Sequence, residues 1–209
     1  MMERAVLLKK ERGGGSMTFL PIVEILQGDL TGYIPTNLIS MTDGQLYFST
    51  GLFNKGVKPA IDFGLSVSRI GNKAQCSAVK GLSKSLRLDY LQYKELLQMT
   101  QLRTAGLSKE AEERLKRGEA ISQLITQDKS RPVSIEEQII YLYALNHGML
   151  DRLTTGQIRQ FRLEILNYIK RVEPEFCVKI RQSKELSEDL RIMLEQALAA
   201  YLKEEVQSS

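Results

Sequence analysis

Apolar side chains recur at steps of three or four residues along most of the chain after residue 80. This spacing places them on one face of an α-helix, so each run predicts one helix with a buried stripe. The four runs are Leu82, Leu86, Tyr90, Tyr93 and Leu97; Ile135, Ile139, Leu142 and Leu145; Ile158, Phe161, Ile165 and Ile169; and Leu186, Leu190, Met193, Ala197 and Tyr201. Residues 76–209 are therefore predicted to form an all-α domain, a helical bundle around one core.

Signals for helix ends agree with these runs. Ser134 followed by Glu137 forms a capping box ahead of the second run, and Thr154 or Thr155 can cap the third. His147 is the only histidine and lies in an Asn-His-Gly sequence at a predicted helix end. We therefore expect a capping or exposed histidine there rather than a catalytic base or a metal ligand.

The pattern before residue 75 is different, because ten of the fifteen glycines and three of the five prolines lie there. Short β-rich runs between turn signals predict strands at 19–26, 38–42 and 45–49. Residues 1–11 are predicted to form a short helix that ends at the glycines 13–15. The predicted fold class is thus α/β in residues 1–75 followed by all-α. A sheet this small has exposed edges and little core, so it is expected to need a partner or a further N-terminal portion.

Composition and charge narrow the class of protein. The 209 residues carry 29 Lys and Arg against 25 Asp and Glu, a net charge of +4 that is too dispersed to indicate nucleic-acid binding. Cys76 and Cys177 are far apart and have no C-x-x-C partner, which excludes a disulfide framework and a cysteine zinc site and favours a reducing compartment. No window approaches the ~18 consecutive apolar residues of a membrane span, so direct membrane insertion is not expected.

The sequence gives little evidence for a phosphate-binding loop or for an acid–base catalytic pair. Neither G-x-x-x-x-G-K-[ST] nor a helix-opening G-x-G-x-x-G occurs in the sequence, and the run Gly-Gly-Gly-Ser at 13–16 is interpreted as a loop. The adjacent pairs Glu112-Glu113 and Glu136-Glu137 diverge by about 100° on a helix, so they are expected to be solvated faces rather than acid–base dyads. Residues 99–119 carry many charges of both signs and predict an exposed helix–turn–helix arm.

Two segments of the sequence are more specific indicators of a protein family than any of these motifs. Residues 34–45 read IPTNLISMTDGQ and residues 59–71 read PAIDFGLSVSRIG. With them the chain resembles the alpha subunit of F-type ATP synthases, in order and nearly without gaps from residue 2 to about 170. Further matching segments are ERA at 3–5, LPIVE at 20–24, LRLD at 86–89, QYKE at 92–95 and IEEQ at 135–138.

The resemblance implies a fold and an extent. Residues 1–75 would be the C-terminal strands of a P-loop-NTPase-type nucleotide-binding domain, and residues 76–209 the C-terminal helical domain. The family's alpha subunit begins with a β-barrel domain and a P-loop, neither of which is found in this sequence. The chain thus looks like the last two fifths of such a subunit, which would fit a fragment, a split gene or a decaying paralogue. An alternative paralogue of the enzyme, such as the sodium-linked variety, also stays open.

The resemblance also assigns site residues. Arg69 matches the arginine finger that reaches the γ-phosphate in the neighbouring beta subunit, and Ser40 and Val67 match positions that line the same shared site. Gln127 aligns with one of two glutamines near the adenine of the alpha subunit's own non-catalytic nucleotide. Lys129 aligns with the second glutamine and is a departure, and Lys58 stands where many members have Arg.

The implied function is that of a non-catalytic, regulatory alpha-type subunit in ATP synthesis coupled to proton or sodium transport. Its implied partners are beta subunits and the central-stalk gamma subunit, with ATP or ADP and Mg²⁺ as ligands of the intact complex. The expected location is the inner face of the cell membrane, as a peripheral protein. Without a phosphate cradle, the chain alone is expected to bind no nucleotide, hold no metal and hydrolyse no ATP. Two alternatives stay open: a freestanding helical interaction module, or a non-functional gene remnant.

Overall fold

A computed structural model describes residues 2–102 and 108–207 of the chain. In these ranges the protein is mostly helical. The helices are α1 Tyr33–Met41, α2 Thr50–Asn54, α3 Gly71–Ala74, α4 Ser77–Leu82, α5 Leu86–Leu102, α6 Lys109–Ile125, α7 Ile135–Asn146, α8 Thr155–Val172, α9 Pro174–Ser183 and α10 Glu188–Gln207. The strands are β1 Val6–Leu7, β2 Ser16–Met17, β3 Gly44–Gln45 and β4 Val67–Ser68, and short 3₁₀ turns occupy Met2–Arg4, Lys10–Arg12 and Leu26–Gly28.

The core lies in the helical part of the chain. Helix α5 packs against α6, α6 packs against α8, and α8 packs against α9 and α10, while α7 is held between α4, α6, α8 and α9. Fully buried side chains from five helices meet in one cluster, including Phe161, Phe176, Ile121, Ile139 and Leu198. The periodic runs thus produced the expected bundle, although Leu82 belongs to α4 and Leu186 precedes α10.

The helix-end predictions are confirmed where the sequence signal was local. The Ser134 side chain accepts a hydrogen bond from the Glu137 amide, and the Glu137 carboxylate accepts one from the Ser134 amide at 2.9 Å. Thr154, rather than Thr155, caps α8. His147 is the exposed C-cap of α7, and its ring stacks on Tyr143 with 4.0 Å between the ring centroids.

The prediction that Glu136 and Glu137 lie on a solvated face is wrong. Glu136 and Glu137 are 4% and 5% exposed, not solvated. The Arg181 guanidinium on α9 donates to Glu136, and Arg131 donates to Glu137 at 3.3 Å. Burial acts to raise the pKa of Glu136, but hydrogen bonds from the backbone and from Arg181 outweigh it and hold that pKa below its usual value.

The expected exposure of Glu112 and Glu113 is confirmed. Glu112 and Glu113 are exposed on α6. The predicted arm at 99–119 includes the end of α5 and most of α6, while its turn, at 103–107, lies outside the described residues. Its exposure is only partial, because Arg117 is half-buried and Gly118 is buried in α6.

The first 75 residues differ most from their sequence-based prediction. No α-helix forms over the described residues 2–11; β1 pairs antiparallel with β2 instead, with Val6 opposite Met17. The cause is the glycine run, because Gly13, Gly14 and Gly15 all adopt positive φ angles that fold the chain back into a hairpin.

The predicted strands in this part are also largely wrong. Residues 38–41 belong to α1 and Thr42 is its C-cap. The first turn of this helix contains Pro35, where a missing backbone N–H costs no intrahelical bond. Residues 19–25 form no strand in the described structure. Of the segment 45–49, Gln45 lies in β3 and Phe48 makes an isolated bridge with Ile61. The described sheets are therefore two separate pairs, β1–β2 and β3–β4.

Close packing of α5 on α6 depends on one glycine. A Cβ atom on Gly118 would overlap the Cβ and ring of Tyr93, so we expect Gly118→Ala to lower the free energy of unfolding by about 1–3 kcal/mol. The matched control is Gly156→Ala in α8, where a Cβ meets open space and the better helix propensity should add roughly 0.5–1 kcal/mol. Urea unfolding followed by circular dichroism measures both changes. Equal stability of the two variants would contradict this packing.

Candidate functional site

Arg69 follows strand β4 and reaches back to the end of α1. Its backbone N–H donates to the Asp43 carbonyl at 2.9 Å, and its guanidinium donates to the carbonyls of Thr42 at 3.2 Å and Ile39 at 3.4 Å. The last turn of a helix offers carbonyls without intrahelical partners and the negative end of the helix dipole, which together attract a cation. The side chain stays exposed.

The other two residues assigned to the shared site lie on the same two elements. Ser40 is exposed in the last turn of α1, and its hydroxyl donates to the Asn37 carbonyl at 2.8 Å. Val67 lies in β4 opposite Gln45 and is 40% exposed. Arg69 thus bonds to the end of α1, the helix that carries Ser40, and Val67 lies two residues before Arg69 in β4.

Two glycines allow this junction to be tight. Gly44 faces β4 so closely that a Cβ there would overlap the Val67 carbonyl oxygen. Beyond Arg69, the Ser68 hydroxyl accepts a hydrogen bond from the Gly71 amide at 3.1 Å and closes the turn into α3. The contact of Gly44 with Val67 and the hydrogen bond between Gly71 and Ser68 therefore fix the backbone on both sides of Arg69.

A second candidate site is an open cleft of about 600 Å³ between α2 and the segment that follows α6. Gln127 and Lys129 both line it, together with Lys58 and Pro59. The two walls are joined by a hydrogen bond from the Gln127 amide to the Lys58 carbonyl at 2.7 Å.

The lining of this cleft suits a flat ring with polar edges. Phe48 and Phe53 supply aromatic surface, and the Lys58 ammonium lies 5.0 Å from the centroid of the Phe53 ring. An apolar pocket with a few polar groups is the usual form of a small-molecule site. The aromatic residues were missed from the sequence; they lie about 75 residues from Gln127, and no local pattern links them.

Across residues 2–102 and 108–207, no three acidic, histidine or cysteine side chains are grouped so that they could hold a metal ion. None of the described helices combines the length and apolar character that crossing a membrane requires.

Comparison with known proteins identifies the family. Residues 75–201 match the ATP synthase alpha/beta chain, C terminal domain, and residues 1–68 match the ATP synthase alpha/beta family, nucleotide-binding domain. The chain belongs to the ATP synthase alpha/beta family.

Two relatives within that family are alpha subunits. The ATP synthase subunit alpha of Petrotoga mobilis is 42% identical over 202 residues, which are 97% of this chain and 40% of that protein. The ATP synthase subunit alpha of Clostridium botulinum is 40% identical over 203 residues, again 97% of this chain and 40% of the relative. The chain therefore resembles subunit alpha over nearly its whole length and spans about 40% of the length of these relatives.

Proposed function

We propose that this chain acts as an alpha-type, non-catalytic component of a rotary ATP synthase and supplies Arg69 to a nucleotide site on a neighbouring beta-type subunit. The observation that carries the proposal is the position of Arg69. Within the described ranges its guanidinium bonds to backbone carbonyls and to no carboxylate, and it stays exposed. A cation of this kind is available to an anion presented by another subunit.

The chemistry expected of Arg69 follows from the guanidinium group. Its planar set of donors matches the equatorial oxygens of a transferring phosphoryl group, where negative charge accumulates in the transition state. Ser40 and Val67 would line the same shared site, with the Ser40 hydroxyl able to order a phosphate oxygen or a water molecule. Arg69 would then be the catalytic residue that this chain contributes.

The cleft at Lys58 and Gln127 supports a second, non-catalytic nucleotide site. Gln127 would hydrogen-bond an adenine ring packed between the aromatic walls, and Lys129 would stand at its edge in place of a second glutamine. Lysine offers donors only, whereas a glutamine offers a donor and an acceptor. This difference predicts a weaker or altered base contact.

The exposed apolar surface of residues 2–75 supports assembly with another polypeptide chain. Among the described side chains of residues 2–75, only Pro35 and Ala60 are buried, while Leu20 and Ile22 are 80% and 97% exposed. We interpret residues 1–75 as part of a P-loop-NTPase-type nucleotide-binding domain and residues 76–209 as the C-terminal helical domain. The exposed apolar surface would then be covered in the complete assembly.

The remaining parts of the proposal concern the whole complex. Beta and gamma subunits would be its partners, ATP or ADP with Mg²⁺ its ligands, and the inner face of the cell membrane its location. Ion transport by protons or sodium would be coupled through other subunits.

Assembly is the direct test of this function against the two alternatives. We would mix the chain with beta-type subunits, supply the rest of an alpha subunit by fusion or as a second chain, and record native mass spectra. A complex with alternating alpha-type and beta-type subunits supports the proposal. A folded chain that stays alone favours a freestanding interaction module, and an unfolded one favours a non-functional remnant.

Nucleotide binding by the 209-residue chain alone is expected to be undetectable at micromolar concentrations. Most of the anchoring of ATP comes from backbone N–H groups and the lysine of a P-loop, a pattern that this sequence does not contain. Isothermal titration calorimetry with MgATP measures it. Micromolar affinity that Gln127→Ala abolishes would show that the cleft is a sufficient site by itself and would overturn the expectation.

A further inference from the structure

One face of α5 holds the turn that precedes β4. Arg87, Tyr90 and Lys94 are spaced by three and four residues, so they lie on the same side of the helix. The Arg87 guanidinium donates to the Gly64 carbonyl at 3.3 Å, and the Lys94 ammonium donates to the Asp62 carboxylate at 2.9 Å. Between them, the Tyr90 ring packs edge-on against Phe63, with 5.3 Å between the ring centroids.

Asp62 organises the turn itself. One of its carboxylate oxygens accepts hydrogen bonds from the amides of Gly64 at 2.8 Å and Leu65 at 3.4 Å, while the other accepts the bond from Lys94. Burial acts to raise the pKa of Asp62, but the hydrogen bonds from Lys94 and from the Gly64 amide outweigh burial and hold the pKa below its usual value. The carboxylate is therefore charged at neutral pH. The side chain of Asp62 is 16% exposed and that of Lys94 is 30% exposed.

The turn leads directly to Arg69. The Ser66 amide donates to the Asp62 carbonyl at 2.9 Å, and the Ser66 hydroxyl accepts from the Tyr47 amide at 3.0 Å. Val67 and Ser68 then form β4, and Arg69 follows. The segment 62–69 is thus fixed at one end by α5 and at the other by the carbonyls at the end of α1.

We propose that Asp62 and Lys94 are positioning residues for Arg69, through which helix α5 sets the placement of β4 and of the guanidinium beyond it. The proposal rests on the function proposed above for Arg69. It adds that the helical part of the chain controls the shared nucleotide site through one ion pair. A movement of α5 would reach Arg69 along the segment 62–69.

The test removes the ion pair while leaving Arg69 intact. Lys94→Met keeps the apolar stem and deletes the charge, and Lys94→Arg can restore the pair with Asp62. Lys179→Met is the matched control, because Lys179 forms an exposed ion pair with Glu175 on α9 at 2.6 Å. Both Met variants change the net charge equally, so an effect of net charge alone would appear in both.

The first measurement uses the full chain and does not depend on ATP turnover. Backbone amide hydrogen exchange in the segment 62–69 should become about tenfold faster in Lys94→Met, because local opening then lacks the ion pair as a restraint. It should stay unchanged in Lys179→Met and return toward the original rate in Lys94→Arg. Unchanged exchange in Lys94→Met would overturn the proposal.

The second measurement uses the assembled complex. Lys94→Met should lower kcat about tenfold or more with KM nearly unchanged, since misplacing a catalytic group by a fraction of an ångström slows the chemical step. Lys94→Arg should recover most of the loss. If Arg69→Ala abolishes turnover and Lys94→Met does not change it, the positioning role is wrong. If Arg69→Ala has no effect, the proposed function fails and the positioning role fails with it.

Discussion

Arg69→Ala is expected to lower ATP turnover by roughly 10³- to 10⁵-fold in a complex that has assembled with beta-type subunits. The reason is that an arginine finger stabilises charge that develops only in the transition state, so its loss affects the chemical step more than binding. Assembly and nucleotide affinity should persist, because Arg69 is exposed and bonds only to backbone carbonyls in the described structure. Steady-state hydrolysis and native mass spectrometry on the same sample measure both properties.

Two further variants make this prediction specific. Arg69→Lys should recover little, because an ammonium group cannot reproduce the two-pronged geometry of a guanidinium. Arg191→Ala, which removes an exposed arginine on α10, is the control and should leave turnover unchanged. Normal turnover in Arg69→Ala would remove Arg69 from the nucleotide site and leave it as a residue that caps α1.

Phe161→Ala should lower the free energy of unfolding by about 3–5 kcal/mol, because a large fully buried ring is replaced by a cavity. Phe161 is 1% exposed on α8. Its ring centroid lies 6.1 Å from that of Tyr141 on α7 and 5.8 Å from that of Tyr201 on α10. The cavity would therefore open where three helices meet, and chemical denaturation followed by circular dichroism would detect it.

Leu163→Ala is the matched control on the same helix. Leu163 is 46% exposed, so its truncation should cost well below half as much. Limited proteolysis of both variants would show whether the helices lose protection together. A Phe161→Ala protein as stable as the control would contradict a single shared core in the helical part.

The helical part was predictable because its signals are local. A stripe of apolar residues and a capping box such as that of Ser134 and Glu137 are read within one or two helical turns. The helices that pack against α7 are distant in the sequence, so the burial of Glu136 could not be inferred. Its partner Arg181 is 45 residues away and on another helix.

The first 75 residues were poorly predicted for a related reason. Strands of two residues carry almost no periodicity, and exposed apolar runs such as the one with Leu20 and Ile22 look like buried strands in the sequence. The helix α1 was hidden because its apolar residues resemble those of a strand. Only the glycine run gave a clear signal, and it marked a hairpin turn rather than a helix end.

The candidate sites, too, could be predicted only in part from the sequence. Arg69, Ser40 and Val67 were assigned through resemblance, and Gln127 and Lys129 likewise, whereas their surroundings came from the structure. The contacts of Arg69 with Thr42 and Ile39 span 27 and 30 residues, and the bond between Lys94 and Asp62 spans 32. Pairings at such separations are set by the fold and leave no pattern in a single sequence.

A structure of the assembled complex trapped with ADP and fluoroaluminate, solved by cryo-electron microscopy, would show directly whether Arg69 contacts the transferring group. This mimic of a transferring phosphoryl group should bind in the beta-type subunit. The Arg69 guanidinium should leave the carbonyls of α1 and lie about 3 Å from the fluorides of the mimic, at hydrogen-bond distance. An occupied beta-type site with Arg69 still bonded to the carbonyls of Ile39 and Thr42 would contradict this expectation.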